Sequence, residues 1–405
     1  MIIKDVQLTH TDREVVLSAR CKVRKAGWDE IHFRVAAEYG DYVCGDASPF
    51  ATAMLLPAMK QGEELAIEGS ISKQLYAGMQ VVMDEVLKWD LGLKRVAVRA
   101  EELMSDEYGP TKTASFFSAG VDSFYTYLKH KHDLEISQRI TDLIFINNGF
   151  DIDPRNKALW ELTLKNIKAV ADHEGLDLVV ATSNINSQLL SRIFSWDYIH
   201  GACLAAMGQF LRKGFCRIYI PSTHSAEEQI AWGSNLALDK NWSTETLTFE
   251  HDGSETTRVD KIISCIAESP LALQYLRVCY MNERGAYNCG RCDKCMRTMV
   301  SLYIAGVLQR AETFPHNIDV GLLAATPTIK GKDGGIFHNE NLSALREREL
   351  ASELQGAISS SLNRTSMRQK AVSERLRDRI IYLDHMYARG YAYHVLSGLF
   401  GRKYP

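Results

Sequence analysis

Ala114-Ser115-Phe116-Phe117-Ser118-Ala119-Gly120-Val121-Asp122-Ser123 compresses a strand, a turn and the start of a helix into ten residues. The apolar run from Ala114 to Phe117 suits a short buried strand, and a helical stretch continues through Tyr127 and Leu128. Small residues fill the turn between them. The rhythm then repeats. Leu143-Ile144-Phe145-Ile146 precedes a helical pattern from Asn156 to about His173. Leu176-Asp177-Leu178-Val179-Val180 precedes a helix from about His200 to Leu211, and Arg217-Ile218-Tyr219-Ile220 reads as the next strand. Short apolar strands alternating with helices of this length predict an α/β fold with right-handed crossovers, a Rossmann-like parallel sheet and flanking helices. Ligands on such sheets bind beyond the carboxyl ends of the strands, where the 118–123 turn lies.

Outward from this core, residues 1–108 read as a smaller α+β accessory domain. Val15-Val16-Leu17-Ser18-Ala19-Arg20 and Ile31-His32-Phe33-Arg34-Val35 alternate as half-buried strands do. Ser48-Pro49-Phe50 opens a helical run closed by Gly62, Ala66-Ile67-Glu68-Gly69 reads as a strand, and a further helix is expected near residues 72–88. No catalytic constellation stands out there. Ser105-Asp106-Glu107-Tyr108-Gly109-Pro110 is the expected hinge. Residues 111–310 form the main domain, and 311–405 a helical basic extension. Its last part, 341–405, holds eleven Lys/Arg against six Asp/Glu. That charge suits a solvated helical surface, or a face for an acidic partner or RNA.

Composition narrows the classes. Of 405 residues 46% are apolar and 24% charged, as in globular chains, and the formal net charge of −3 gives no overall pull toward nucleic acid or anionic membrane. No apolar run reaches the roughly 18 residues that span a bilayer. Lys4, Asp5, Asp12, Arg13 and Glu14 deny the N-terminus the apolar core of a secretion signal, so a cytoplasmic location without membrane contact is expected.

The turn itself suits an anion. Backbone N–H groups at a helix start lack intrahelical partners and carry partial positive charge. Ser118, Ala119, Gly120 and Val121 bring that backbone close, Ser118 and Ser123 offer hydroxyls, and Asp122 can cap the helix or help hold Mg2+ against phosphates. A tight βα turn with an ordinary cap is the plainer reading. The pattern is not a Walker loop, since no Lys follows the Gly. It resembles the Ser-Gly-Gly-x-Asp-Ser loop of the PP-loop ATP pyrophosphatases. That resemblance implies ATP cleavage between the α and β phosphates, with adenylation of an oxygen and displacement of AMP by a nucleophile. Ala119 departs from the family's Gly. It keeps the close approach only with a negative φ, so a slightly altered loop is expected. Arg258 and Lys261, at the start of a helix after Gly253, can stabilise a departing pyrophosphate. Lys261 stands where many PP-loop enzymes carry a late lysine, although alone it reads as a surface residue.

Four of the nine cysteines crowd between 279 and 295. Cys289-x-x-Cys292-x-x-Cys295, with Gly290 in the first gap, makes a knuckle, and Cys279 can supply a fourth corner. Four thiolates in a tetrahedron are what structural Zn2+ requires. A [4Fe–4S] cluster is the main alternative, and four unrelated buried cysteines the plain one.

Together, the loop from Ser118 to Ser123, Lys261 and Cys279, Cys289, Cys292 and Cys295 resemble 7-cyano-7-deazaguanine synthase over residues 112–306. The resemblance implies that ATP activates the carboxylate of 7-carboxy-7-deazaguanine as an acyl adenylate, that ammonia forms an amide, and that a second activation gives the nitrile. Asn147-Asn148-Gly149-Phe150-Asp151 and His200-Gly201 depart from the biosynthetic pattern, as do the added N-terminal domain and tail. These departures suggest the synthase-like proteins of bacterial antiphage defence, in which the activated carboxylate is thought to join an amine of a partner protein. A purine-like ligand needs an aromatic wall and a polar edge, which Trp232, Asp239, Trp242 and His200 can supply. Each also suits ordinary packing. Two other readings remain: a tRNA-modifying PP-loop enzyme, to which the basic tail lends itself, and a non-catalytic scaffold held by zinc.

Overall fold

Alternation in the N-terminal strands sets one face against the core. In β2 (Glu14–Lys22) Val15, Leu17, Ala19 and Cys21 are buried, and in β3 (Trp28–Ala36) Ile31, Phe33 and Val35 are. The computed structural model describes the whole chain except residues 23–26, 108, 134, 136, 148–151, 153–155, 186–194, 229, 283–284, 327–333 and 364–405. Tyr108 of the expected hinge, the Asn148 to Asp151 departure and most of the basic tail therefore lie outside the described residues.

With β1 (Ile2–His10), β4 (Leu65–Ser72), β5 (Val98–Met104), β6 (Lys112–Phe116), β7 (Asp142–Asn147), β8 (Asp177–Ser183), β9 (Phe215–Pro221) and β10 (Thr248–Asp252), these strands form one sheet. Its order is β10-β9-β6-β7-β8-β3-β2-β1-β4-β5. The block from β10 to β8 is parallel throughout, as the strand–helix rhythm predicts. At its edge β8 pairs antiparallel with β3, placing Phe33 against Ser183 and Val35 against Ala181. The 1–108 strands therefore extend the main sheet directly. The fold is α/β, with a large, mostly parallel sheet flanked by helices.

One face is covered by α1 (Ser48–Gln61), α2 (Lys73–Leu87) and α5 (Trp196–Phe210). Every α1 residue from Ser48 to Met59 is buried, because the helix is clamped between sheet and α5. A single core runs there from Met1 to Phe249. On the other face α3 (Val121–His130) and α4 (Lys157–Glu174) enclose a second core with α6 (Arg258–Ser264), α7 (Pro270–Tyr275) and α8 (Asp293–Ile304). A third apolar cluster joins α8 to α9 (Val320–Ala325), α10 (Gly334–Glu347) and α11 (Ser352–Asn363). No described helix is long and apolar enough to cross a membrane.

The helix expected from about His200 begins at Trp196, with Ser195 in the extended N-cap conformation. The first turn thus forms four residues earlier, although no Ser195 side-chain bond caps it, and His200 falls in the second turn rather than at the start.

Arg212, just beyond α5, is fully buried. Its guanidinium takes Asp106 (Nε to Oδ2, 2.8 Å) and both oxygens of Asp46. Cys44 lies in the same group, but the arginine already holds the carboxylates that a cation would need. The triad ties Asp46 and Asp106 of the 1–108 half to the end of a main-domain helix. Removing one partner from such a group strands the others without water. Arg212→Met is expected to destabilise the chain by about 3–5 kcal/mol, read as a lower urea midpoint. Lys88→Met, which removes an exposed pair with Glu85, is expected to cost under about 1 kcal/mol.

Candidate functional site

β6 delivers the chain to the turn and α3 carries it away. Gly120 is the N-cap of α3 in extended conformation, with no side chain capping the first turn. Ser118, Gly120 and Asp122 are half-buried; Ala119, Val121 and Ser123 are buried. Ser123 Oγ closes the turn by donating to Gly120 O at 3.1 Å while facing Ser118 N at 3.4 Å.

Ala119 corrects the expectation of a negative φ. Its φ is +57°, the left-handed region that glycine adopts freely. An L-residue is disfavoured there by roughly 1–2 kcal/mol. Two contacts hold it: the side chain is fully buried in the second core, and Arg277 N donates to its carbonyl at 2.8 Å.

The charges gather over this turn. Arg258, the first residue of α6, donates to Asp122 Oδ2, and Lys261 Nζ lies 3.5 Å from Asp122 Oδ1. Lys261 is 1% exposed and also donates to Ser222 O at 2.7 Å, so it is no surface lysine. Burial works to raise the Asp122 carboxyl, but Arg258 and Lys261 outweigh it and hold its pKa below that of an ordinary aspartate. Burial lowers Lys261, with Asp122 pulling the other way. Asp122 Oδ1 has no hydrogen-bond partner.

Neighbouring helices add groups that sequence reasoning left out. Phe337 of α10 lies beneath Arg297 (3.9 Å to the ring centre) and Arg258 (5.7 Å). Asp293, in the first turn of α8, takes Arg297 at 3.3 Å and His338 at 2.7 Å. His224 stacks on Phe337 and meets Trp232 edge-on, with ring centres 5.1 Å apart in each case. Trp232 in turn meets His200 at 5.1 Å. His200 and Trp232 thus reach the turn through His224 and Phe337. Burial lowers the pKa of His200, which keeps the ring neutral. Only His224 carried a usable signal, since it follows the carboxyl end of β9. Nothing in the sequence linked Phe337 to a turn more than two hundred residues upstream.

Trp242 is corrected to a core residue. It is fully buried, because its 3-10 turn packs against α2, α5 and β10, and it offers no open wall. Asp239 is also fully buried, bonded to Ser234 Oγ (2.6 Å) and His251 Nδ1 (2.8 Å).

The four cysteines converge as the spacing predicts, with all sulfurs within 4.8 Å of one another. Gly290 turns the knuckle at φ +66°, and a Cβ there would sit 2.5 Å from Pro315. Cys292 caps α8, and the amides of Asn282, Cys292 and Cys295 point at sulfurs at 3.2–3.4 Å. Asn288 accepts from the amides of Val278 and Cys279, pinning the fourth corner. Hydrogen bonds from the neighbouring thiols, Cys289 foremost, pull Cys279 toward the thiolate. A closed all-sulfur donor set with amides aimed at it fits a metal such as zinc.

Metal analysis of the purified chain is expected to give one ion per molecule, and chelation or Cys292→Ser to lower Tm by several degrees, because binding at such sites is coupled to folding. Unchanged Tm after complete metal removal would contradict that assignment. In comparison with known proteins, no family model, curated protein or solved structure matches the chain.

Proposed function

We propose that the chain is an ATP-dependent ligase that adenylates a carboxylate, with 7-carboxy-7-deazaguanine as the first candidate, and passes the acyl group to an amine. The observation that carries this reading is Asp122 set between Arg258 and Lys261 at the uncapped start of α3, directly after β6. Two cations against one carboxylate leave a surplus positive charge beside free backbone N–H groups, which favours a polyphosphate.

In this mechanism the 118–123 backbone and Ser118 bind the phosphates of ATP, and Arg258 and Lys261 take up charge on the departing pyrophosphate. Mg2+, when bound, would add positive charge at the phosphates, and Asp122 Oδ1, which makes no hydrogen bond and faces Lys261 at 3.5 Å, could serve it as a ligand. Trp232 and His200 form the wall for the flat substrate. No covalent enzyme intermediate is needed, so catalysis is positioning and charge stabilisation. The zinc reading of the cysteine cluster makes it a structural support for α8. The product is an amide, a nitrile or a conjugate with a partner protein, formed in the cytoplasm.

Incubation with Mg2+, ATP, 7-carboxy-7-deazaguanine and ammonia is expected to release AMP and pyrophosphate, and to exchange labelled pyrophosphate into ATP. Asp122→Asn and Lys261→Met are each expected to slow that exchange about 10²–10³-fold, as loss of a charge-stabilising group does. Intact ATP under every combination would defeat the proposal.

A further inference from the structure

His224 is 8% exposed, and its two ring nitrogens have different fates. Nδ1 faces Glu228 Oε2 at 3.2 Å, whereas Nε2 is buried without a hydrogen-bond partner. A buried polar nitrogen left open is costly unless something completes it. The ring is held by its stack on Phe337 and the edge of Trp232. Its backbone is held as well: Ser222 Oγ donates to His224 O at 2.6 Å, and Ser222 O accepts from Lys261 Nζ. The strap carrying His224 is therefore fastened to the lysine that faces Asp122. Glu228 also lines a cavity of about 360 Å³ beside α6, together with Asp260, Glu340 and Glu347. That lining contains carboxylates and no basic side chain, a fit for a cationic amine donor.

We propose that Glu228 and His224 form a carboxylate–imidazole dyad whose open Nε2 accepts a proton from the attacking amine. This rests on the adenylation reading above. A neutral amine attacks the acyl carbon, and the C–O bond to AMP breaks with its electron pair leaving on the phosphate. The surplus proton on nitrogen passes to Nε2, and Glu228 offsets the imidazolium charge. A carboxylate at Nδ1 fixes the tautomer with the lone pair on Nε2.

The charged or titratable groups acting on the ring are Asp122, Arg297, Arg258 and His200, while burial and then Glu227 raise the carboxyl of Glu228, which touches Nδ1. Burial foremost, then Arg297, Arg258 and His200 against the pull of Asp122, lowers its pKa to about 4, so the imidazole is neutral near pH 7. Phosphates bound on Arg258 would relieve part of that depression, making the base stronger when ATP is in place.

The test compares two amines in the full chain, with Mg2+, ATP and 7-carboxy-7-deazaguanine. Both amines must shed a proton after attack, but the weakly basic hydroxylamine nitrogen gives a more acidic adduct that water can deprotonate, whereas the ammonia adduct leans on Nε2. His224→Gln is expected to lower the ratio of ammonia-dependent to hydroxylamine-dependent turnover by about 10²-fold or more, the usual scale of general-base catalysis. Glu228→Gln is expected to shift the ratio in the same direction by less. Pyrophosphate exchange, which precedes the amine, stays measurable in both variants. Equal loss with both amines would overturn the dyad and leave His224 a packing residue. No exchange in the unaltered chain would instead overturn the adenylation reading and remove the step the dyad serves.

Discussion

A guanidinium taken wholly out of water must find carboxylates, and Arg212 finds both of its own in the first hundred or so residues of the chain. Asp46 lies just before α1 and Asp106 just after β5, so each comes from a different place along that half. Neither carboxylate nor guanidinium is tolerable alone in such surroundings, and the group holds only as a triad. The two halves of the chain are thereby committed to each other. The β3–β8 seam and the packing of α1 on α5 follow from the same commitment, and one apolar core grows across both.

The same rule acts on the opposite face with the balance reversed. Around Arg212 carboxylates exceed cations; around Asp122 cations exceed carboxylates. Excess negative charge in a sealed place serves only the fold. Excess positive charge beside a half-buried turn is what the proposed polyphosphate binding draws on. Asp293 pairs with Arg297 and His338 close by, and the Phe337 ring lies beneath both Arg297 and Arg258.

The strand–helix rhythm from Ala114 onward was legible because strands buried on both faces are apolar and short, and helices between them are long. So was the cysteine knuckle, whose spacing nearly dictates convergence. The extension of the sheet by β3 was not: an antiparallel edge pairing leaves no mark in local alternation. Short polar strands such as β10, reading Thr248-Phe249-Glu250-His251-Asp252, carry no periodic signal either. At the site, Asp122, Arg258 and Lys261 could be picked from the neighbourhood of the turn, whereas Phe337 and His338 arrive by tertiary packing of a helix near the far end. Trp242 misled because a tryptophan near a binding segment looks the same in sequence whether its ring faces a ligand or the core.

One hydrogen bond ties the two notable regions together. The amide of Arg277 holds the carbonyl of Ala119, and its guanidinium holds Cys279 O and Asn282 Oδ1. The stretch from 277 to 279 is thus a strut with the turn at one end and sulfur at the other. Its length is constrained although it contains no reacting group. A single residue inserted there would throw Cys279 out of register with its three companions, or pull Ala119 out of its unfavourable backbone state.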